Sequence, residues 1–274
     1  MLFKSALATG LLAADAAARC ASPAPSAQQL AKARQFGVLE AELLQTGAST
    51  DKGPVEIDVY MHSVSANPSH LLSDKAFKDQ FDVLAGTLVS YGFHMNLVKT
   101  ARTVNAEWGN PDNVLTMQKA LRQGHYRDLN LYFVDKIDDQ NNTGSCYLPD
   151  IAPEGTDEFF RDGCLLLYGS EPGGALGPGY NLGKTAIHEF GHWLGLMHTF
   201  EGGCTGKGDG IADTPAQESA SSGCPVGRDS CPTMPGLDPI HNFMDYSNDD
   251  CYESFTPDQK ARMHSSWNHY RAGK

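Results

Sequence analysis

The stretch that decides the fold runs from His188 to His198 and reads His-Glu-Phe-Gly-His-Trp-Leu-Gly-Leu-Met-His. His188 and His192 are four residues apart, about 400° around a helix axis, so their imidazoles leave one face and can share a metal ion. Gly195 can adopt a positive φ and turn the chain, which lets His198 approach the same ion from another direction. The alternative is an accidental helix with surface histidines. Three neutral imidazoles leave a fourth tetrahedral position open, so the spacing favours a catalytic zinc site over a closed structural one.

Charge and hydropathy argue against a nucleic-acid-binding protein and against a membrane protein. The chain has 274 residues and a formal net charge of −12, which argues against nucleic acid or an anionic membrane as a partner. Residues 1–18 combine Lys4, an alanine- and leucine-rich segment and a small-residue cleavage site, a pattern that predicts a secretory signal peptide. No later stretch reaches the roughly 18 apolar residues of a transmembrane helix. We therefore expect a secreted, extracellular protein.

The histidine stretch resembles the long zinc-binding signature of the metzincin metalloproteases. That clan also has a methionine turn, which Asn242-Phe243-Met244-Asp245-Tyr246 matches here. The residues flanking the histidines and the cysteines around the methionine turn are similar to the pappalysin family, in particular its small secreted fungal and bacterial members. The resemblance is strong over residues 177–255 and rests mostly on element order over residues 55–168. It implies a zinc-dependent endopeptidase acting on extracellular proteins and peptides.

The order of the predicted elements fits an α+β fold. Alternating apolar residues over 55–61 predict a half-buried strand, and apolar residues at helical spacing over 77–88 predict an amphipathic helix ending at Gly92. The remaining predicted elements are strands at 94–98, 129–134 and 164–168, and helices at 111–121, at 182–196 and from Thr256 onward.

The resemblance implies a zincin-like domain of two lobes. A mixed twisted sheet with helices would form the upper lobe, an irregular disulfide-bonded segment the lower lobe, and zinc would lie in the cleft between them. We expect residues 165–170 to be the edge strand above the cleft, where an extended peptide adds through main-chain hydrogen bonds. The alternative is an ordinary buried strand.

The residue types around the predicted site indicate peptide-bond hydrolysis. Zinc lowers the pKa of its bound water toward about 7, and Glu189 can take the proton of that water and pass it to the leaving amine. Tyr246 resembles the tyrosine that stabilises the oxyanion in some metzincins, the alternative being a structural tyrosine under the site. Met244 is expected to form a hydrophobic base beneath the histidines. A secreted zincin-fold binding protein or effector without turnover is the competing function, and the presence of Glu189 argues against it.

Cysteine usage agrees with an oxidised, secreted protein. Apart from Cys20 there are six cysteines, and this even number predicts three disulfides whose pairing the sequence alone leaves open. A second metal site is the competing interpretation. The family resemblance implies two interlocked pairs and leaves one more, as follows: Cys204–Cys231, Cys224–Cys251 and Cys146–Cys164.

Residues 19–53 are rich in Ala, Ser, Pro and Gln, with apolar residues at loosely helical spacing interrupted by Gly37. We interpret them as a short prosegment or linker before a catalytic domain of residues 54–274. Arg19-Cys20-Ala21 resembles the Arg-Cys segment of family prosegments. Since a thiolate is a good zinc ligand, Cys20 is a candidate to fill the open position and keep the enzyme latent. The alternative is a cysteine that is removed with the signal peptide or unused.

Three further hypotheses concern single residues. Relatives with an acid at the position of Asp250 prefer basic side chains, so we expect this residue to favour Arg or Lys just after the scissile bond, unless it is a solvated loop carboxylate. Asp209 and Asp213 are spaced for a calcium loop, although solvated turn carboxylates are the favoured interpretation. Asn141 begins the one N-glycosylation sequon. We expect a monomer with one zinc ion.

Overall fold

A computed structural model describes residues 20–48, 53–108, 111–138, 142–205 and 208–274. The predicted signal peptide and Asn141 lie outside these residues. Within them, no helix combines the length and the apolar character that crossing a bilayer requires.

Five strands form one mixed sheet. They are β1 Val55–Ser65, β2 Phe93–Val104, β3 Leu129–Val134, β4 Gly144–Cys146 and β5 Cys164–Leu167. Their order across the sheet is β2-β1-β3-β5-β4, with β4 antiparallel to β5 and every other pair parallel. The predicted strands at 55–61, 94–98, 129–134 and 164–168 are therefore present.

Helices connect and cover the strands. They are α1 Ala27–Thr46, α2 Asp74–Leu88, α3 Val114–Leu121, α4 Asp157–Arg161, α5 Lys184–Trp193 and α6 Pro257–Ser266. The N-terminus of α6 carries the predicted capping box, in which the Thr256 side chain accepts from the backbone of Gln259 and the Gln259 side chain accepts from the backbone of Thr256. A wider helical turn, Trp267–Arg271, directly follows α6.

The core lies on both faces of the sheet, and β3 illustrates why. All six of its residues are buried. Leu131 and Phe133 face the main core together with α2 and α5, whereas Tyr132 and Val134 face a smaller cluster together with Met117 of α3. A strand covered on both faces reads as a continuous apolar run, which is typical of parallel sheets. This arrangement fixes β4, β5 and α5 relative to one another.

The prediction of the edge strand was wrong. β5 lies between β3 and β4, so residues 165–170 are not at the edge of the sheet. The edge strand on this side of the sheet is β4, only three residues long and built from Gly, Ser and Cys, and β2 forms the opposite edge. Such a segment has no alternating apolar pattern that would identify it in the sequence.

Beyond α5 the chain is irregular up to α6, as expected for the lower lobe. Within the described part of this segment, an isolated bridge between Asn242 and Ser254 is the one sheet-like pairing. Two disulfides, Cys204–Cys231 and Cys224–Cys251, cross-link the lower lobe, and Cys146–Cys164 joins β4 to β5. These are the pairs that the resemblance implied.

Helix α1 lies within residues 19–53, where the sequence shows loosely helical spacing interrupted by Gly37. It is continuous for 20 residues, passing through Gly37. Its contact face is not purely apolar, since Ala33 and Glu40 are both buried whereas Leu39 is 47% exposed.

Candidate active site

Helix α5 presents its two histidines from a fully buried segment. His188 and His192 lie one turn apart, and every residue of the helix after Lys184 is buried. Gly195 then adopts φ +85°, and its amide donates to the carbonyl of His192. An added Cβ at Gly195 would meet the Ser266 hydroxyl at 2.9 Å. The predicted turn is therefore present, and it brings His198 back to the other two imidazoles.

The three imidazoles converge on one point. The Nε2 atom of His192 lies 3.1 Å from that of His188 and 3.0 Å from that of His198. Nδ1 of His188 lies 2.6 Å from the Phe243 carbonyl and Nδ1 of His192 lies 2.8 Å from the Leu196 carbonyl. Because a carbonyl only accepts, each Nδ1 carries the proton and each Nε2 presents a lone pair.

Lone pairs facing each other at this distance need a cation between them. Burial lowers the pKa of His192 to about 4. Burial, followed by the charges of His192 and His188, lowers the pKa of His198 well below its usual value. Protonation at neutral pH therefore does not supply the missing positive charge. The residues fit a metal ion held by three neutral imidazoles, each of the first two oriented by a backbone carbonyl.

Glu189 lies beside this cluster and is completely buried. Burial raises the pKa of its carboxyl group to about 8, while hydrogen bonds from Cys20 and Ser22 act in the opposite direction. Gly144 of β4 packs directly against it: an added Cβ there would lie 2.2 Å from Oε1 and 2.7 Å from Cγ. The edge strand thus meets Glu189 at a glycine, a contact that the sequence did not indicate.

Met244 lies under the histidines, fully buried. It packs against α5 at Gly191, where an added Cβ would be 2.4 Å from the methionine sulfur. Its carbonyl accepts from the amide of Thr199, just after His198. The methionine turn therefore contacts both the helix and the segment that carries the third histidine.

A buried polar network that sequence reasoning missed ties this turn to the lower lobe. Thr199 donates to the Gln217 side chain at 2.8 Å, and Gln217 donates to Asp245 at 3.0 Å. Asp245 also accepts from the amide of Ser221 at 2.9 Å. Single polar residues in an irregular segment give no periodic signal, so only the fold reveals their connection.

A second missed cluster holds the C-terminal end of α5. Arg271 donates to both oxygens of Asp162 at 2.7 and 3.0 Å and to the carbonyl of Trp193 at 2.9 Å. The indole of Trp193 donates to the same carboxylate at 3.1 Å. Arg271 and Asp162 are both buried. The last residues of the chain therefore fix the point from which the Gly195 turn departs.

Tyr246 points its hydroxyl toward the site. Its ring lies against His198 at a centroid distance of 4.9 Å, and its hydroxyl donates to the Cys20 carbonyl at 3.0 Å. Burial, followed by the charges of Cys20 and Glu189, raises the pKa of this phenol far above its usual value. Tyr246 is therefore a permanent hydrogen-bond donor beside the histidines.

Residues 20–22 occupy the cleft. Cys20 forms a parallel bridge with Gly144, and the amide of Ala21 donates to the Gly144 carbonyl at 2.8 Å. The Cys20 sulfur and the three imidazole nitrogens all lie within 4.8 Å of one another. Ser22 accepts from the Cys146 amide at 3.0 Å, and its hydroxyl lies 3.4 Å from Glu189. The thiol is the chain's one free cysteine and is buried.

Three predicted carboxylates, Asp250, Asp209 and Asp213, are considered separately from the histidine cluster. Asp250 is exposed, whereas its neighbour Asp249 is buried and accepts from the amide of Leu182 at 2.8 Å. Asp209 is buried and accepts from the Ile211 amide at 3.0 Å and the Thr214 hydroxyl at 2.8 Å. The carboxylate of Asp213 accepts from the amide of Asp258 at 3.0 Å. Local hydrogen bonds thus account for both carboxylates, and no finding supports the predicted calcium site.

Comparison with known proteins agrees with this geometry. The model of the M43 peptidase family, described as pregnancy-associated plasma protein-A, matches residues 119–268, more than half of the chain. An extracellular metalloprotease of Podospora anserina is 47% identical over 99% of this chain and 99% of its own length. One from Verticillium alfalfae is 46% identical over 99% and 100%, respectively. The chain belongs to this peptidase family.

The structural comparison leads to the same group. Mature mirolysin of Tannerella forsythia, solved in complex with a cleaved peptide, superposes with a TM-score of 0.65 at 25% identity, covering 79% of this chain and 93% of mirolysin. The pappalysin resemblance read from the histidine and methionine motifs is therefore confirmed, as is the two-lobed α+β fold. The enzyme is a metalloprotease.

Proposed function

We propose that this metalloprotease is a secreted zinc endopeptidase that is made as a latent proenzyme. The observation that carries the proposal is the convergence of three imidazole Nε2 atoms, 3.0 to 3.1 Å apart, beside a buried carboxylate. Borderline-soft imidazole ligands with an exchangeable fourth position are typical of catalytic zinc. The extracellular names of the relatives support secretion, and a net charge of −12 disfavours nucleic acid and anionic membranes as partners.

His188, His192 and His198 would hold the ion, with the Phe243 and Leu196 carbonyls fixing the first two rings. When bound, zinc would polarise the scissile carbonyl of the substrate and lower the pKa of a bound water. Glu189 takes the proton of the attacking water and delivers it to the leaving amine. Tyr246 donates a hydrogen bond to the oxygen that develops negative charge, as it does here to the Cys20 carbonyl. Met244 supports the histidines from below and has no chemical role.

Residues 20–22, which we call the cleft segment, support latency through Cys20. Its sulfur lies within 4.8 Å of the three imidazole nitrogens, which supports Cys20 as a fourth ligand. Burial, followed by the charge of Glu189, raises the pKa of the thiol, but a bound cation acts in the opposite direction because a coordinating thiol is deprotonated. The main-chain bond from Ala21 to Gly144 uses the edge strand on which an extended substrate would pair. Residues 20–22 therefore block the metal position, the general base and the substrate edge together.

The experiment that tests the function compares Glu189→Ala with Glu154→Ala, which changes an exposed carboxylate. We expect the first variant, after activation, to lose about 10²–10⁴-fold in turnover of a quenched peptide, the usual contribution of a general base. Its zinc content by elemental analysis should equal that of the wild type, because the ligands are intact. A Glu189→Ala enzyme that keeps a tenth of wild-type turnover would remove Glu189 from the mechanism.

A further inference from the structure

Helix α1 contacts the rest of the molecule through a stripe at helical spacing. Gln29, Ala33, Phe36 and Glu40 recur at i, i+4, i+7 and i+11, so they share one face. Gln29 donates to the Leu148 carbonyl at 3.4 Å, Ala33 is buried, and the ring of Phe36 meets that of Tyr270 edge-on at 6.3 Å. The receiving surface is formed by Leu148, α6, the turn after α6 and Gly210, and we call it the α1-docking face.

Glu40 forms the deepest contact of this stripe. Nε of Arg262 donates to both carboxylate oxygens at 3.1 and 3.2 Å, and Nη2 donates to one of them at 3.0 Å. The side chains are 1% exposed for Arg262 and 9% exposed for Glu40. A buried carboxylate–guanidinium pair with several hydrogen bonds is strongly destabilised when one partner is removed, since the other charge stays buried.

Arg262 keeps other partners when α1 leaves. Its Nη2 also donates to the Gly210 carbonyl at 2.9 Å. Its charge lowers the pKa values of Asp209 and Asp258, against the larger effect of burial, which raises both. Arg262 therefore keeps a hydrogen-bond partner on the docking face without α1, whereas the hydrogen bonds of the Glu40 carboxylate within the described residues all come from Arg262. In this part of the chain Arg262 has a second partner and Glu40 does not, as expected if α1 binds reversibly to this face.

The cleft segment itself is held by few contacts. Within residues 20–22, main-chain pairing is limited to Gly144, and the remaining hydrogen bonds involve the Ser22 side chain and the Cys20 carbonyl and thiol. Cys20 lies seven positions before the start of α1. Anchoring α1 nearby raises the effective concentration of Cys20 at the site without adding any contact in the cleft.

We propose that the α1-docking face is an exosite for helix α1, and that the Glu40–Arg262 pair on this face holds residues 20–22 in the catalytic cleft from a distance. This proposal rests on the proposed latency and says which contact holds the latent state together. Detachment of α1, rather than local opening of the cleft segment, is then the step that limits exposure of Cys20.

The test uses the full-length zinc-loaded proenzyme and the alkylation of Cys20 by iodoacetamide, followed by intact mass. Six of the seven cysteines are in disulfides, so one alkylation reports one site. Removing one partner of a buried charge pair weakens the association that the pair holds by about 30-fold or more in its equilibrium constant. We expect Glu40→Gln to accelerate alkylation at least about tenfold, since the amide keeps part of the hydrogen bonding. Glu42→Gln, an equal charge change on the exposed side of α1, should alkylate at the wild-type rate.

Hydrogen exchange separates the anchor from a general loss of stability. In Glu40→Gln, peptides from α1 should lose protection while those from β1 and β3 keep it. Equal alkylation rates for Glu40→Gln, Glu42→Gln and wild type overturn the proposal, and so does loss of protection throughout the sheet. The latency proposal has its own readout: if alkylating wild-type Cys20 releases no peptidase activity, latency fails whatever the rates are.

Discussion

Gly144→Ala tests how closely the edge strand and the general base depend on each other. The added Cβ would lie 2.2 Å from Oε1 of Glu189 and 2.7 Å from its Cγ and Cδ. An ordinary carbon–carbon contact is about 3.5 Å or longer, so the middle of the Glu189 side chain has to move by roughly 1 Å. The side chain is completely buried, and the added Cβ would displace its carboxylate from the position beside the histidines. A misplacement of about 1 Å costs roughly 10²-fold in rate.

We therefore expect the activated Gly144→Ala enzyme to lose about 10²-fold in kcat/KM on a quenched peptide while binding zinc normally. Overpacking should also lower the free energy of unfolding by about 1–3 kcal/mol. Gly86→Ala is the matched control, because Gly86 lies in α2 with nothing within 4 Å of an added Cβ. There the substitution should leave activity unchanged and stabilise the helix by up to about 1 kcal/mol. A Gly144→Ala enzyme within threefold of wild-type kcat/KM would show that the contact between Gly144 and Glu189 does not fix the position of the general base.

Three further predictions concern the site. His198→Ala should lose zinc as well as activity because a ligand is removed, and an unchanged zinc stoichiometry by elemental analysis would exclude it as a ligand. Cys20→Ser should show more peptidase activity than the wild-type proenzyme before residues 19–53 are removed, since a hydroxyl is a poor zinc ligand; a variant as latent as wild type would refute the role of Cys20. Asp250→Ala should weaken a preference for Arg or Lys after the scissile bond in a peptide-library profile, and a wild-type profile dominated there by apolar residues would reject this role.

The parts of the fold predicted from sequence are those with a repeating signal. Ile57, Val59 and Met61 alternate with more exposed residues, and all three lie in the main core as the period of two requires. The histidine spacing and Gly195 likewise specify the geometry of the metal-ligand cluster, because helix periodicity and a positive φ leave little freedom.

The missed parts depend on contacts between distant residues. Gly144 matters because it touches Glu189, and nothing in its neighbourhood in the sequence indicates that contact. The apolar residues of α1 recur at loosely helical spacing, yet Leu39 is exposed while Glu40 is buried, because the partner surface carries a buried arginine. Periodicity identifies a helix, but the chemistry of the opposing surface decides which face is used.

In the proposed function, three histidines hold a zinc ion that the peptidase reaction requires. The most direct test is metal removal and reconstitution of the activated enzyme. Dialysis against a chelator should abolish cleavage of a quenched peptide, and activity should return linearly with added Zn²⁺, with a break at about one equivalent per chain, as a site of three imidazoles predicts. Undiminished cleavage by metal-free protein, verified by elemental analysis, would contradict the claim.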